Sequence, residues 1–143
     1  MHLQAGTYLQ GGRYCIEKVL GQGGFGITYS GIQTNLEAKV AIKEFFMKDL
    51  CNRDSDTSQV SVGSVGSREI VERFRQKFIK EARNIFRLKH RNIISVIDVF
   101  EENGTAYYVM EYVSDGSLAD KVRDGALPES VAVRYIRQVA TAL

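Results

Sequence analysis

The stretch "LGQGGFGITYSG", Leu20 to Gly31, constrains this chain more than any other part of it. It holds five glycines in twelve residues, with Gly21, Gly23 and Gly26 in a Gly-x-Gly-x-x-Gly spacing. Residues without side chains let a backbone come close to a phosphate. The residues just after the third glycine decide the fold. A dinucleotide-binding fold needs a helix there, because the helix N-terminus holds the pyrophosphate. Here the run is Ile27, Thr28, Tyr29, Ser30 and Gly31, which favours a strand. Glu44 lies eighteen residues after Gly26 and mimics the ribose-binding acid of that fold, but no helix fits between two strands this close together. The loop reads as strand, glycine loop, strand: a hairpin lid over phosphates. The spacing alone is weak, and its flanks give it weight.

The rest of the pattern extends that hairpin. "RYCIEKVLGQ" reads as a strand leading into the glycines and "GITYSGIQ" as the strand leaving them. "QTNLEAK" is a turn, and "KVAIKEFF" is a third strand of an antiparallel meander. Residues 1–12 are small and polar and read as a loose lead-in. "CNRDSDTSQVSVGSVGSRE" is rich in Ser, Gly and Asp and reads as a mobile surface loop. Its hydroxyl residues are either ordinary loop residues or phosphorylation sites. "REIVERFRQKFIKEARNIFRLKH" is an amphipathic helix, with Phe74, Phe78, Ile85 and Leu88 gathered on one face. "NIISVIDVFEE" and "TAYYVMEYV" read as two further strands, joined by the favoured hairpin dipeptide Asn103-Gly104. "SDGSLADKVRDG" reads as a short capped helix, and "LPESVAVRYIRQVATAL" as a helix with Pro128 in its first turn.

Composition narrows the class. The chain has 143 residues, enough for one modest domain, with 44% hydrophobic and 25% charged residues. A net charge of +2 gives no argument for nucleic acid. No apolar run is long enough to span a bilayer, and the N-terminus does not read as a signal peptide. Cys15 and Cys51 are far apart and form no metal or redox motif; they read as reduced thiols of a cytoplasmic protein.

Two charged residues carry the chemistry. Alternation along "KVAIKEF" puts Ala41, Lys43 and Phe45 on one face of the strand, and Val40, Ile42 and Glu44 on the other. Glu81 falls in the middle of the apolar stripe of the long helix, not on its solvated face. A carboxylate facing a core is costly unless paired, and a strand lysine beneath the helix can supply the cation. Lys43 as a surface lysine, and Glu81 as a residue turned outward at the stripe's edge, are the plain alternatives.

With these residues in place, the sequence resembles the N-terminal lobe of a eukaryotic-type protein kinase, and its "GGFGITY" wording is similar to the bacterial serine/threonine branch. "GQGGFG" matches the glycine-rich loop, "VAIK" the third-strand lysine motif and Glu81 in "FIKEARNI" the paired helix glutamate. "HRNII" resembles the turn into the fourth strand, and "YYVMEYVSDGSL" resembles the fifth strand, gatekeeper and hinge. The implied fold is α+β: a five-stranded antiparallel sheet with one long helix over residues 13–110, a hinge at 111–116, and the first two helices of a second lobe at 117–143.

The resemblance also implies roles. Gly21, Gln22, Gly23, Gly24, Phe25 and Gly26 would cover the ATP phosphates, with Phe25 at the loop tip. Lys43 would hold the α- and β-phosphates, oriented by Glu81. Leu20, Thr28 and Ala41 would roof the adenine, where Thr28 stands in place of the family's usual valine. Met110 would be the gatekeeper. The backbone of Glu111 and Val113 would read adenine, and Ser117 would face the ribose. Ile85 and Val96 would join the hydrophobic column behind the helix, and His90 would be a structural loop histidine. The interval from Lys43 to Glu81 is about twice the family's usual length, the excess being the Ser/Gly-rich loop. From Arg68 to Arg91 there are nine Lys/Arg and three Glu, which make a solvated basic face or a dock for an acidic partner or phosphorylated loop.

The sequence contains no His-Arg-Asp and no Asp-Phe-Gly. The family's base aspartate and magnesium ligands are thus not among these residues. ATP and Mg2+ are implied as cofactors and a protein as substrate. The 143-residue chain alone is expected to be inactive and to bind ATP weakly. An apolar face on residues 128–143 is expected to promote self-association. The alternative is a pseudokinase or kinase-like interaction module, against which the intact glycines, Lys43 and Glu81 argue.

Overall fold

The computed structural model describes residues 1–88 and 95–112. The helices expected within 114–143, the self-association face at 128–143, and Val113, Ser117 and His90 lie outside the described residues.

A six-stranded antiparallel sheet forms the body. Its strands are β1 (Tyr8–Leu9), β2 (Tyr14–Gln22), β3 (Gly26–Gln33), β4 (Ala38–Phe45), β7 (Val96–Glu102) and β8 (Thr105–Glu111), in the order β1-β2-β3-β4-β8-β7. β5 (Cys51–Arg53) and β6 (Val60–Val62) pair separately as a small hairpin. A single 3₁₀ turn, Val65–Ser67, leads into α1 (Arg68–Arg87). The strands around the glycine loop and the Asn103-Gly104 turn form as the sequence pattern predicts. Asn103 and Gly104 have φ of 54° and 70°, the paired positive values that a tight two-residue hairpin requires.

Alternation gives the sheet two distinct faces. Ile16, Gly31, Tyr29, Ile42, Glu44 and Tyr107 follow one another across the cross-strand pairs on one face. The sheet curls until its distant strands meet on this side. Tyr14 of β2 stacks on Phe100 of β7 at 5.9 Å, and its hydroxyl donates to the Asp98 carboxylate at 2.8 Å. This face is therefore the inside of the curl, and Ile16, Ile27, Tyr29, Ile42, Tyr107 and Val109 fill it. The outer face carries Thr28, Ala41, Lys43, Tyr108 and Met110. α1 lies against part of it through Phe78, whose ring meets Phe45 at 5.7 Å and Tyr108 at 4.9 Å.

Three expectations are corrected. Residues 1–12 are not loose: Leu3 and Leu9 are buried, and β1 pairs with β2, so the sheet has six strands rather than five. Burial of these two apolar side chains outweighs the small polar residues around them. The stretch from Cys51 is not a bare loop, because its Asp, Ser and Thr residues form a turn between two short strands. Asp54 Oδ1 accepts the N–H groups of Asp56 (2.8 Å) and Thr57 (3.0 Å) and closes the hairpin. Val60 N–H then donates to Asn103 O at 2.7 Å and docks it on the β7–β8 turn. Finally, the apolar stripe of α1 is made by Val71, Phe78, Ile79, Ala82 and Ile85. Glu81 lies at its edge and is partly exposed, because Val71, Ile79 and Ala82 move the stripe's centre away from it.

Candidate functional site

β2 runs through Leu20, Gly21 and Gln22, and β3 starts at Gly26, so the glycine loop is only Gly23, Gly24 and Phe25. The β2–β3 ladder breaks between Val19 and Gly21, and Leu20 is left 37% exposed. Gly23 N–H donates to Gly26 O at 2.9 Å and closes the turn. Two amides beyond β4 tie the loop down: Phe46 N–H donates to Phe25 O at 3.0 Å, and Lys48 N–H to Gly24 O at 3.1 Å. Gly26 has a steric reason to be glycine, since a Cβ there would sit 3.0 Å from the Glu44 carbonyl oxygen. The Phe25 ring contacts Phe74 of α1, with centroids 5.4 Å apart.

Beneath this tip is a cavity of about 230 Å³ lined by Phe25, Lys43, Phe45, Phe74, Lys77, Phe78 and Glu81. Lys43 thus leaves β4 on the α1 side, and Glu81 reaches the same space from the helix. Lys43 is 7% exposed and its ammonium lies 5.8 Å from the centre of the Tyr108 ring. Burial pushes the Lys43 ammonium below the ordinary lysine value of 10.5, and the Glu81 carboxylate pulls the other way without cancelling the shift. Lys77 adds a second cation at its rim, with its ammonium 5.1 Å from the centre of the Phe74 ring.

Further along the same outer face, Ala41 pairs with Met110 and Lys43 with Tyr108, while Thr28 pairs with Lys43 from the other side. Thr28, Ala41 and Met110 thus form a contiguous surface next to the cavity, and Ala41 and Met110 are buried. Glu111 ends β8, and its N–H donates to Ser95 O at 3.2 Å. Thus Leu20, Gly21, Gln22, Gly23, Gly24, Phe25, Gly26, Thr28, Ala41, Lys43, Glu81, Met110 and Glu111 are all on elements bordering one face. Phe74 and Lys77 escaped the sequence reading as lining of the site, Phe74 being placed only on the apolar face of the helix. Their spacing of seven and four residues before Glu81 was the available signal, since such residues share a helix edge.

A larger hollow of about 470 Å³ lies between the C-terminal half of α1 and β7, lined by residues such as Ala82, Phe86, Val96 and Val99. It contains none of the glycine-loop or β4 residues, so size does not identify the site. Cys15 and Cys51 are both free thiols. Among the described residues no helix is long and apolar enough to cross a membrane.

Comparison with known proteins agrees with this arrangement. The family model described as "Protein kinase domain" matches residues 14–143. The chain is 35% identical over 148 residues to the serine/threonine-protein kinase PksC of Streptomyces coelicolor, covering 97% of this chain and 23% of that protein. It is 34% identical over 134 residues to the probable serine/threonine-protein kinase CPE1738 of Clostridium perfringens, covering 93% and 17% respectively. Among solved structures, the apo form of PpkA-294 superposes with a TM-score of 0.75 at 30% identity, over 84% of this chain and 42% of that one. The chain thus spans less than a quarter of either curated relative.

Proposed function

The chain belongs to the protein kinase domain family, and from that membership we propose that it is the ATP-binding lobe of a serine/threonine kinase of the bacterial type. The observation that carries this reading is the shared cavity of Lys43 and Glu81 beneath Phe25. A buried lysine under a glycine turn, with Lys77 lining the same cavity, presents positive charge to an anion, and a polyphosphate is such a ligand.

In this reading the glycine hairpin covers the phosphates through its backbone N–H groups, and the absence of side chains permits the close approach. Lys43 donates to the α- and β-phosphates. Glu81 holds the lysine at the cavity rather than letting it follow solvent. Ala41, Thr28, Leu20 and Met110 supply the apolar surface for adenine, with the backbone of Glu111 and Val113 reading its edge and Ser117 near the ribose. ATP supplies the phosphoryl group transferred to a protein hydroxyl. Among the described residues no group of three or more His, Cys, Asp or Glu that could hold a metal ion comes together. The sequence also lacks His-Arg-Asp and Asp-Phe-Gly, so the 143-residue polypeptide alone binds nucleotide without transferring phosphate.

Equilibrium titration of the chain with ATP tests the reading. Lys43→Ala should weaken binding by about tenfold, the equivalent of ~1.4 kcal/mol for one charge-assisted contact. An unchanged affinity overturns the assignment. Lys43-dependent transfer of labelled phosphate by the pure polypeptide would overturn the proposed inactivity.

A further inference from the structure

We propose that Glu44 and Arg53 are positioning residues for Lys43, and that the β5–β6 hairpin thereby acts on the nucleotide cavity from the opposite side of the sheet.

Glu44 is the residue after Lys43 on β4 and points into the curl, where it is 0% exposed. Three donors from three elements hold its carboxylate. Tyr29 OH of β3 donates to Oε1 at 2.8 Å, Tyr107 OH of β8 donates to Oε2, and the Arg53 guanidinium of β5 pairs with Oε1. Each partner is itself held. Leu3 N–H donates to Tyr29 OH at 2.9 Å, and Asn103 Nδ2 donates to Tyr107 OH at 3.0 Å. Arg53 Nε donates to Met1 O at 2.7 Å, and its Nη1 to Ser58 O at 3.3 Å. The network therefore joins the N-terminal segment, both strands flanking β4, the β7–β8 turn and the inserted hairpin.

Stability does not account for it. A buried ion pair costs about as much in desolvation as it returns, and apolar residues of similar volume commonly serve as well. What the network adds is position. β4 ends at Phe45, one residue beyond Glu44, and its pairing with β8 already stops at Glu44. Pinning Glu44 from both neighbouring strands and from the hairpin fixes the strand's twist at that end. In a strand, consecutive side chains leave opposite faces, so the orientation that buries Glu44 is the one that sends Lys43 into the cavity. Gly26 leaves no spare room at this end of the strand, because a Cβ there would lie 3.0 Å from the Glu44 carbonyl oxygen and 3.6 Å from Lys43 Cε. The consequence for catalysis rests on Lys43 being the nucleotide-binding lysine, whereas the geometric coupling does not.

The test is acylation of Lys43 by acetic anhydride in the 143-residue chain, read by mass spectrometry well below the unfolding temperature. Arg53→Met removes the guanidinium and keeps the apolar bulk. Leu9→Ala serves as a comparison, destabilising the same core without touching the network. Lys43 in Arg53→Met should react about fivefold faster than in Leu9→Ala, the factor that roughly 1 kcal/mol of added local opening gives. Arg53→Lys should recover most of the protection. Should Arg53→Met fail to fold, Tyr107→Phe removes one donor and is judged by the same comparison. Equal Lys43 reactivity in the network variant and in Leu9→Ala overturns the proposal. ATP titration of the same variants separates the two readings. If the wild-type chain binds no ATP, the functional assignment fails while the acylation comparison still decides the positioning role.

Discussion

Lys43 and Glu44, consecutive on β4, stand on opposite faces of one curled sheet: the lysine lines the cavity under the glycine loop, and the carboxylate is enclosed within the curl. A single strand thereby carries two buried charges with separate partners, Glu81 for the first and Arg53 for the second. Both charges lose hydration on folding, and each constrains how the strand can lie. The site is thus set by the alternation of β4 as much as by any loop.

The Lys43 ammonium is strained by burial, and its removal should relieve the apo protein. Lys43→Met is expected to raise the melting temperature at pH 7 while reducing ATP affinity. The sign comes from linkage. The folded-state value lies below the ordinary 10.5, so the unfolded chain binds more protons between the two values. The penalty is complete below the folded value and fades as pH rises toward 10.5. The melting-temperature gap between variant and wild type should narrow over that range. A wild-type chain that melts higher than Lys43→Met at neutral pH would refute it.

Three tyrosines act in the opposite direction at alkaline pH. Burial, with help from the Asp98 carboxylate, pushes Tyr14 up to about 12, and burial beside Glu44 raises Tyr29 and Tyr107 further. A raised folded value means stability that is present below pH 10.0 and lost as pH climbs through the folded value. Of the seven tyrosines, these three should ionise only as the chain unfolds. A spectrophotometric titration at alkaline pH should show a late step coincident with loss of circular dichroism. A single smooth titration of all tyrosines in the folded chain would contradict it.

The glycines divide by what surrounds them. A Cβ at Gly31 would meet Cys15 O at 2.8 Å and Ile42 Cδ1 at 2.9 Å, whereas at Gly24 nothing lies within 4 Å. Gly31→Ala should cost about 1–3 kcal/mol by overpacking. Gly24→Ala should stay within about 0.5 kcal/mol, as surface changes usually do. Gly104→Ala combines a positive φ of 70° with a Cβ 2.6 Å from Val60 O and should also be costly, about 1–3 kcal/mol. Urea unfolding of the three variants checks the ranking, which fails if Gly24→Ala is the worst.

The parts of the site that sequence alone revealed are those governed by short-range rules. Period-2 alternation separated Lys43 from Glu44, and Asn103-Gly104 fixed the β7–β8 register through its turn. For the same reason β3 is present at its quoted residues, and β2 and β8 lie within their quoted stretches as Tyr14–Gln22 and Thr105–Glu111. What stayed hidden depended on distance in the chain. Glu44 shared a face with Val40 and Ile42, a signal of a carboxylate needing a cation, but it was read only as a mimic of a ribose-binding acid. Its partner Arg53, however, lay in a segment whose polar composition read as loop. Leu3 and Leu9 were hidden likewise, because a burial site made by the curl of remote strands leaves no local period. Glu81 was centred in the apolar stripe but lies at its edge, since the stripe was drawn from four larger residues and omitted Val71, Ile79 and Ala82.

The contact between Phe25 and Phe74 makes the glycine loop answer to the helix. The rings are 5.4 Å apart, yet Phe25 is 47% exposed, so the tip is held by one aromatic face and by two backbone bonds, from Phe46 and Lys48. An aromatic pair contributes about 0.5–1.5 kcal/mol beyond its buried area, so Phe74→Ala should raise opening of the loop by about two- to tenfold. The readout is hydrogen exchange at the Phe46 and Lys48 amides, which donate to the loop carbonyls. Phe78→Ala is the contrast: Phe78 is a core residue on the same helix, its loss should cost about 3–5 kcal/mol, and it should raise exchange throughout the sheet. Exchange in Phe74→Ala that rises equally at β2, β3 and β8 would show that Phe74 serves only general stability. A rise confined to Phe46 and Lys48, accompanied by weaker ATP binding, identifies the ring pair as the latch through which α1 sets the lid.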